Sequence, residues 1–383
     1  MRRNQPVISD FIEANLEGVN LQAVNLVMVD MQKANLAWAK LQHAKLQGSN
    51  LSYANLSRAK LDKANMAMCV VQQACLISAQ LNEVDLSRAN LDGSNLKGAS
   101  LKGANLQGAS LRRCNLQGVD FTGANLSQAN LDGAILDATT LKQANLEGAN
   151  LSRVKLTASM LKDISLKGLI LHEADLQKLD LEGADLEGTQ LQHAKLYGTN
   201  LSMANLQNCQ LENAMMQMAN LQGANLTTAN LKDARMKGAN LKMANLFGAN
   251  LSKADLFGAN LKEAWLQVAN LKEANLAHAS LFGANLKGAN LCMARLQGAD
   301  LEDSELSGAQ MNQAKYNRST LFPKLFKPHQ HGLNSDSFFD FLFKWIGLKA
   351  KEEPTIAASQ DYDNPDFSYF STPQSAFVSG RSR

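Results

Sequence analysis

Among the 383 residues, His172, Glu173 and His193 have the side-chain types best suited to direct chemistry, two imidazoles and a carboxylate of the kind that hold a transition metal. Their spacing brings them near one another only if the chain folds back every twenty residues. On an exposed wall nothing would fix their rotamers, so proximity without ligation is the expectation. Five cysteines are the other reactive set. Cys69, Cys114 and Cys209 stand where neighbouring stretches have alanine, which predicts small buried residues in place of disulfides or a metal site. Cys75 and Cys292 fall on outward positions and are expected as free surface thiols. The chain has no glycine-rich phosphate loop, no Ser-His-Asp set and no Cys or His pair at metal spacing, so an enzyme is the weakest functional class and no cofactor is expected.

Composition narrows the classes further. Lysine and arginine number 38 against 35 carboxylates, a formal charge of +3, which argues against a nucleic-acid partner held through phosphates. No apolar run follows the two N-terminal arginines, and no stretch nears the eighteen apolar residues of a membrane span. A cytoplasmic protein is expected.

The elements that must position these residues are set by a beat of five. Stepping by five from Phe11 to Tyr316 gives 62 centre positions without a slip, 53 of them Leu and all apolar. Two residues before each centre stands a small residue, alanine without interruption from Ala214 to Ala299, and between them a polar one, most often Asn. All 22 glycines inside the repeat lie two residues after a centre, as in Gly248, Gly258 and Gly283, which marks a turn needing positive φ. No proline occurs between Pro6 and Pro323, as ladders of backbone N–H groups require.

A step of five advances about 140° round an α-helix, so the leucines would define no face. Ala-Asn-Leu does supply one in-out-in unit of extended chain before the odd count forces a corner. The pattern therefore predicts an all-β solenoid with Leu and Ala inside and the Asn and its two followers outside.

Segments such as "ANLKGANL" and "ADLFGANL" resemble the pentapeptide-repeat proteins, whose motif is A(D/N)Lxx, and the resemblance runs over residues 11–320. It implies a right-handed quadrilateral β-helix with four pentapeptides per coil, about 15 coils and roughly 75 Å of rod at β spacing. The closing "AKYNRSTLFP" is similar to the ends of many cyanobacterial members. The expected organisation is a lead-in over 1–10, the β-helix over 11–320, a C-terminal cap with an aromatic helix over 321–351 and a disordered tail over 352–383.

Every twentieth residue should stack on an outer face, giving amide columns such as Asn200, Asn220, Asn240 and Asn260. Three departures from the pattern stand out. Between Val154 and Leu179 the small inward slot holds Val154, Ile164, Leu169 and Leu179 while Met160 and Ile170 replace the outward polar residue, which predicts a wider or bent coil; a repacked core with two surface hydrophobes is expected ahead of a partner site. Phe247, Phe257, Trp265 and Phe282 point outward within two coils, with Val268 close by; scattered exposed aromatics and a protein-binding centre are both open. The third is the His172, Glu173 and His193 group.

After the repeat, "SDSFFDFLFKWIGLKAK" predicts a helix apolar on most of its surface, with Phe338, Phe341, Leu342 and Trp345 as candidate capping or dimerisation residues. Capping of the last coil, pairing with a second copy, and contact with a membrane interface are its three possible uses, and capping is the first choice. The function expected is a non-enzymatic scaffold that binds protein partners on a rigid rod, with a homodimer through the C-terminal segment as one form. The resemblance supplies an alternative, a DNA mimic acting on DNA gyrase; a membrane-peripheral assembly factor is another. The mixed charge and a register that leaves no room for projecting loops both weigh against the DNA mimic.

Overall fold

The computed structural model describes residues 10–161 and 164–335. Most of the expected lead-in, the helix bearing Phe338, Phe341, Leu342 and Trp345, and the tail lie outside the described residues.

One pentapeptide shows why the motif builds what it builds. In the unit around Leu246, the Leu246 N–H donates to Trp265 O (2.7 Å) and the Gly248 N–H to Gln267 O (3.0 Å), both forward to the next coil. The Asn245 N–H donates back to Ala224 O at 2.9 Å, and the Ala244 N–H closes a turn on Leu241 O at 3.0 Å. The fifth donor, the Phe247 N–H, is taken by the Asn245 side-chain Oδ1 at 3.1 Å. Every backbone donor of the unit thus finds an acceptor, and one of the five needs an Asn or Asp side chain to do so.

Repetition of that scheme makes a β-helix-like solenoid of parallel bridges between residues mostly twenty apart. The bridges form four columns: a first face from Asp10 to Gln310, a second from Asn15 to Lys315, a third from Asn20 to Asp300 and a fourth from Asn25 to Glu305. Each leg is too short for a conventional strand; only Lys315–Tyr316 (β1) and Asn334–Ser335 (β2), a parallel pair, run to two residues. In the regular coils the residue two after the centre takes positive φ whether or not it is glycine, from Gly248 at 64° to the β-branched Thr228 at 55° and Val268 at 52°; Ala158, in the helical turn, and Arg318, past the last coil, depart from this. The expectation drawn from the glycines therefore extends to the non-glycine members of the regular coils, which bear the strain.

Inside, centre and small-slot side chains form one continuous core in which most leucines are sealed from solvent. Cys69, Cys114 and Cys209 occupy the small slot and donate their thiols to Leu46 O, Leu91 O and Leu186 O. Ser49, Ser94 and Thr199 use the same geometry toward Leu26 O, Val71 O and Leu176 O. Burial pushes all three of those cysteine thiols up to about 12. Cys75 and Cys292 are half-buried, less open than expected for surface thiols.

Outside, the amide columns form with a direction. Asn260, Asn240 and Asn220 each donate Nδ2 to the Oδ1 of the Asn one coil earlier, at 3.1, 3.0 and 3.0 Å, and Asn200 donates to Asp180 at 2.8 Å. A carboxylate can only accept, so Asp suits the head of such a column. Asp185 beneath Asn205 and Asp255 beneath Asn275 repeat the arrangement.

The sequence counts an unbroken register, but the backbone leaves the coil after Leu156. Ala158–Leu161 forms one helical turn (α1), and Met160, expected on the surface, is buried with 3% of its area exposed. Val154 and Leu169 fill their small slots, each 1% exposed, whereas Ile164 is only partly buried, and Met160 in the outward place gains by turning in. As a result no bridge joins Ile135 to Lys155, Thr140 to Met160 or Asn145 to Ser165, whereas the first face runs on through Asn130, Asn150, Ile170 and Gln190. Among the described residues the N–H groups of Leu136, Leu141 and Leu146 have no backbone acceptor. Ala144, Leu179 and Ala184 beside the gap are only partly buried.

At the C-terminal end an aromatic cluster covers the last coil. Tyr316 meets Phe322 edge-on at 5.6 Å, Phe322 stacks on Phe326 at 5.2 Å and Phe326 on His331 at 4.5 Å. Tyr316, Phe322 and Phe326 pack on the end of the core, with Leu333 buried beside them, in the first part of the range 321–351 and ahead of the residues expected to form its helix. At the other end Phe11, Leu16 and Leu21 are half-covered.

Three measurements check this account. Hydrogen exchange at the amides of Leu136, Leu141 and Leu146 is expected to run at least tenfold faster than at Leu126 and Leu231, whose N–H groups are bonded at 2.7 Å. Asn240→Asp, in mid-column, should lose about 1–2 kcal/mol in chemical denaturation while Asp180→Asn, at a head, changes stability by less than about 0.5 kcal/mol. A thiol reagent at neutral pH should modify Cys75 and Cys292 in the native protein and the other three only on unfolding.

Candidate interaction surface

The outward positions follow from the coil geometry. Trp265 occupies a bridging place on the fourth face, between Asn245 and Asn285. Phe247 lies on the turn leaving that face, one coil earlier, and Val268 on the same corner one coil later. Phe282 lies on the turn entering the fourth face. These four are 58%, 48%, 55% and 37% exposed, so the structure gathers them on one face and its two corners with their apolar area open. Phe257, also 37% exposed, is set apart on the turn entering the third face. There its ring lies 5.3 Å from the His278 ring with Lys237 Nζ 5.2 Å from its centre, so its own neighbours occupy it. Among the described residues no ring contact joins Phe247, Trp265 and Phe282.

Holding these side chains outward costs the fold something. Trp265 stands where Asn would take the N–H two residues on, and Gln267 N–H has no acceptor among the described residues. The amide column on this face is interrupted, because neither Asn245 nor Asn285 has a carboxamide donor bond among the described residues. Val268 holds a β-branched side chain at φ 52°, a conformation that costs about 1 kcal/mol or more. Trp265 and Val268 leave more than half of their area open, so burial offsets these costs only in part.

Charge frames the same patch. Lys242 and Lys262 precede Phe282 in one corner column, Lys287 follows Phe247 in the other, and none of the three has an ion pair among the described residues. Glu263 is the carboxylate within the patch, and Glu302, Asp303 and Glu305 lie one to two coils on.

The metal-type residues do not converge. Glu173 and His193 line a shallow cleft with Arg153, Lys155 and Asp175, and His172 is not among its walls. His172 Nε2 is buried without a hydrogen-bond partner among the described residues. Among the described residues no set of three His, Cys, Asp or Glu side chains has metal-binding geometry.

Sequence reading missed two surface features. Trp38 and Tyr53 are exposed near the N-terminal end, with the Arg58 guanidinium 4.7 Å above the Trp38 ring. The off-motif aromatics there carried the same signal as Trp265. The gap after Leu146 opens a cleft of about 570 Å³ lined by Asn145, Leu146, Glu147, Ser165 and Lys167, and the uninterrupted count of five gave no sign of it.

The family model described as pentapeptide repeats (8 copies) matches residues 9–36, 39–76, 79–118, 114–153, 149–188, 189–227, 204–242, 224–263, 254–291 and 279–315. Among solved structures, alr5209 from Nostoc PCC 7120, a pentapeptide repeat protein, is 35% identical over 27% of this chain and 84% of its own, with a TM-score of 0.27. HetL from Nostoc sp. strain PCC 7120, a pentapeptide repeat protein involved in heterocyst differentiation regulation, is 28% identical over 77% of this chain and 90% of its own, with a TM-score of 0.20. QnrB1, a plasmid-mediated fluoroquinolone resistance protein, is 19% identical over 53% of this chain and 98% of its own, with a TM-score of 0.28. No curated protein matches. With the five-residue donor scheme running along the described coils and the family model covering most of the chain, the protein belongs to the pentapeptide-repeat family.

Proposed function

We propose that this chain is a non-enzymatic scaffold that binds protein partners through side chains displayed on a solid rod. The observation that carries the reading is the exposed group of Trp265, Phe247, Val268 and Phe282, kept on one face against the preferences of the repeat. A filled axis supports it: the leucines from Leu201 to Leu301 are buried, which leaves the outside and the ends for recognition. At twenty residues a lap the rod has about 15 coils, taken here as right-handed, with chain beyond Ser335 available for end-to-end pairing of two copies. Five unpaired cysteines suit a reducing compartment, and we assign the cytoplasm.

The DNA-mimic alternative asks for a continuous acidic surface. The second face instead alternates Lys155, Asp175 and Lys195, then Arg235, Asp255 and Arg295, and the first face is mostly amides. The scaffold reading is the better supported.

Its test is proximity labelling in the native host with the full chain and with Phe247→Ala/Trp265→Ala. Both side chains are largely exposed, so the double variant should melt within about 2 °C of the parent and lose the parent's labelled partners. Retention of the same partner set would show the aromatics to be idle surface.

A further inference from the structure

Resting on the interaction reading above, we propose that the fourth face around Trp265 docks an acidic segment of a partner protein, one that carries apolar or aromatic side chains among its carboxylates.

Apolar area and charge are combined there in a specific way. Trp265, Phe247 and Phe282 supply three open ring surfaces, and Lys242, Lys262 and Lys287 stand at the two corners with no carboxylate paired to them among the described residues. The Asn245 and Asn285 side chains, one coil to either side of Trp265, bring carboxamide donors with no acceptor among the described residues. Carboxylates of a bound segment can take ammonium and amide hydrogens at these points, while its apolar side chains cover the rings. A basic segment would meet three lysines and one glutamate.

The size of the basic frame selects among acidic partners. Past Phe282 the corner column turns to Glu302 and Asp303, and the face itself to Glu305. The favourable stretch is therefore about three coils, roughly 15 Å along the axis. That length accepts a few extended residues. A nucleic-acid backbone or an anionic bilayer presents charge over a longer reach and would run onto those three carboxylates.

The stability cost makes the assignment testable apart from a structural role. Trp265→Asn restores the column from Asn245 to Asn285 and gives the Gln267 N–H its acceptor. If Trp265 serves the fold, this variant melts lower; if it serves docking, it melts at or above the parent and binds less. Val268→Gly relieves the positive-φ strain and serves as the second variant.

The probe is a fluorescent random Glu/Tyr copolymer, titrated into the full chain at low and physiological salt with anisotropy as the readout. The parent should bind it, more weakly as salt rises. Trp265→Asn and Lys262→Glu/Lys287→Glu should each weaken binding tenfold or more without lowering Tm. Polyglutamate alone should bind at least tenfold more weakly than the copolymer. Equal binding of polyglutamate, failure of the copolymer to bind, or a Trp265→Asn variant that melts lower and still binds would each overturn the proposal. So would preference for phosphatidylglycerol vesicles or a single-stranded oligonucleotide over the copolymer through the same lysines. If the Phe247→Ala/Trp265→Ala chain loses its native partners while the copolymer never binds, the scaffold reading stands and the acidic-segment proposal falls.

Discussion

The structure depends on where one backbone hydrogen goes. Four of the five N–H groups in an intact unit are satisfied by carbonyls of the same turn or a neighbouring coil, and the fifth requires a side-chain oxygen two residues back. That single requirement explains why Asn and Asp dominate the position before the centre. It also explains why Asn prevails within columns and Asp at their heads: the Asn oxygen takes the local N–H while its nitrogen reaches the coil before, and an Asp has nothing to give. Core and surface are thus coupled through one residue type. Replacing it outward, as Trp265 does, subtracts from the fold and adds to the surface.

Much of this was legible in the sequence because it is periodic. The leucine count located the core, the alanine column its narrow slot, and the glycines the corners with positive φ, which the structure extends to residues such as Thr228 and Val268. The amide columns followed from stepping by twenty. What could not be read was set by size and not by spacing. Ile164 and Met160 keep perfect register, yet Ile164 is left only partly buried and the core takes in Met160, so the coil breaks where the count sees nothing. The end cluster of Tyr316, Phe322, Phe326 and His331 escaped for the opposite reason, being aperiodic and built by contacts between residues with no fixed interval.

The surface was half legible. The sequence grouped Phe247, Phe257, Trp265 and Phe282 only by their nearness in coils; in the structure Phe247 and Phe282 lie on the corners beside Trp265, and Phe257 is set apart, engaged with Lys237 and His278. The lysines at the corners needed a face to belong to before they had meaning, since scattered along the chain they only balance the carboxylates. Specificity on such a rod is written in violations of its own rule, and each violation is affordable because the neighbouring coils remain intact.

The break after Leu156 has a mechanical side. Among the described residues, at that level only the first face carries its column of bridges, from Asn130 through Asn150 to Ile170. Elsewhere four walls would share a pull along the axis. Tension applied to the two ends would therefore concentrate on one seam, and the molecule would part or stretch there first, at a height fixed by its sequence and whatever the strength of its remaining laps.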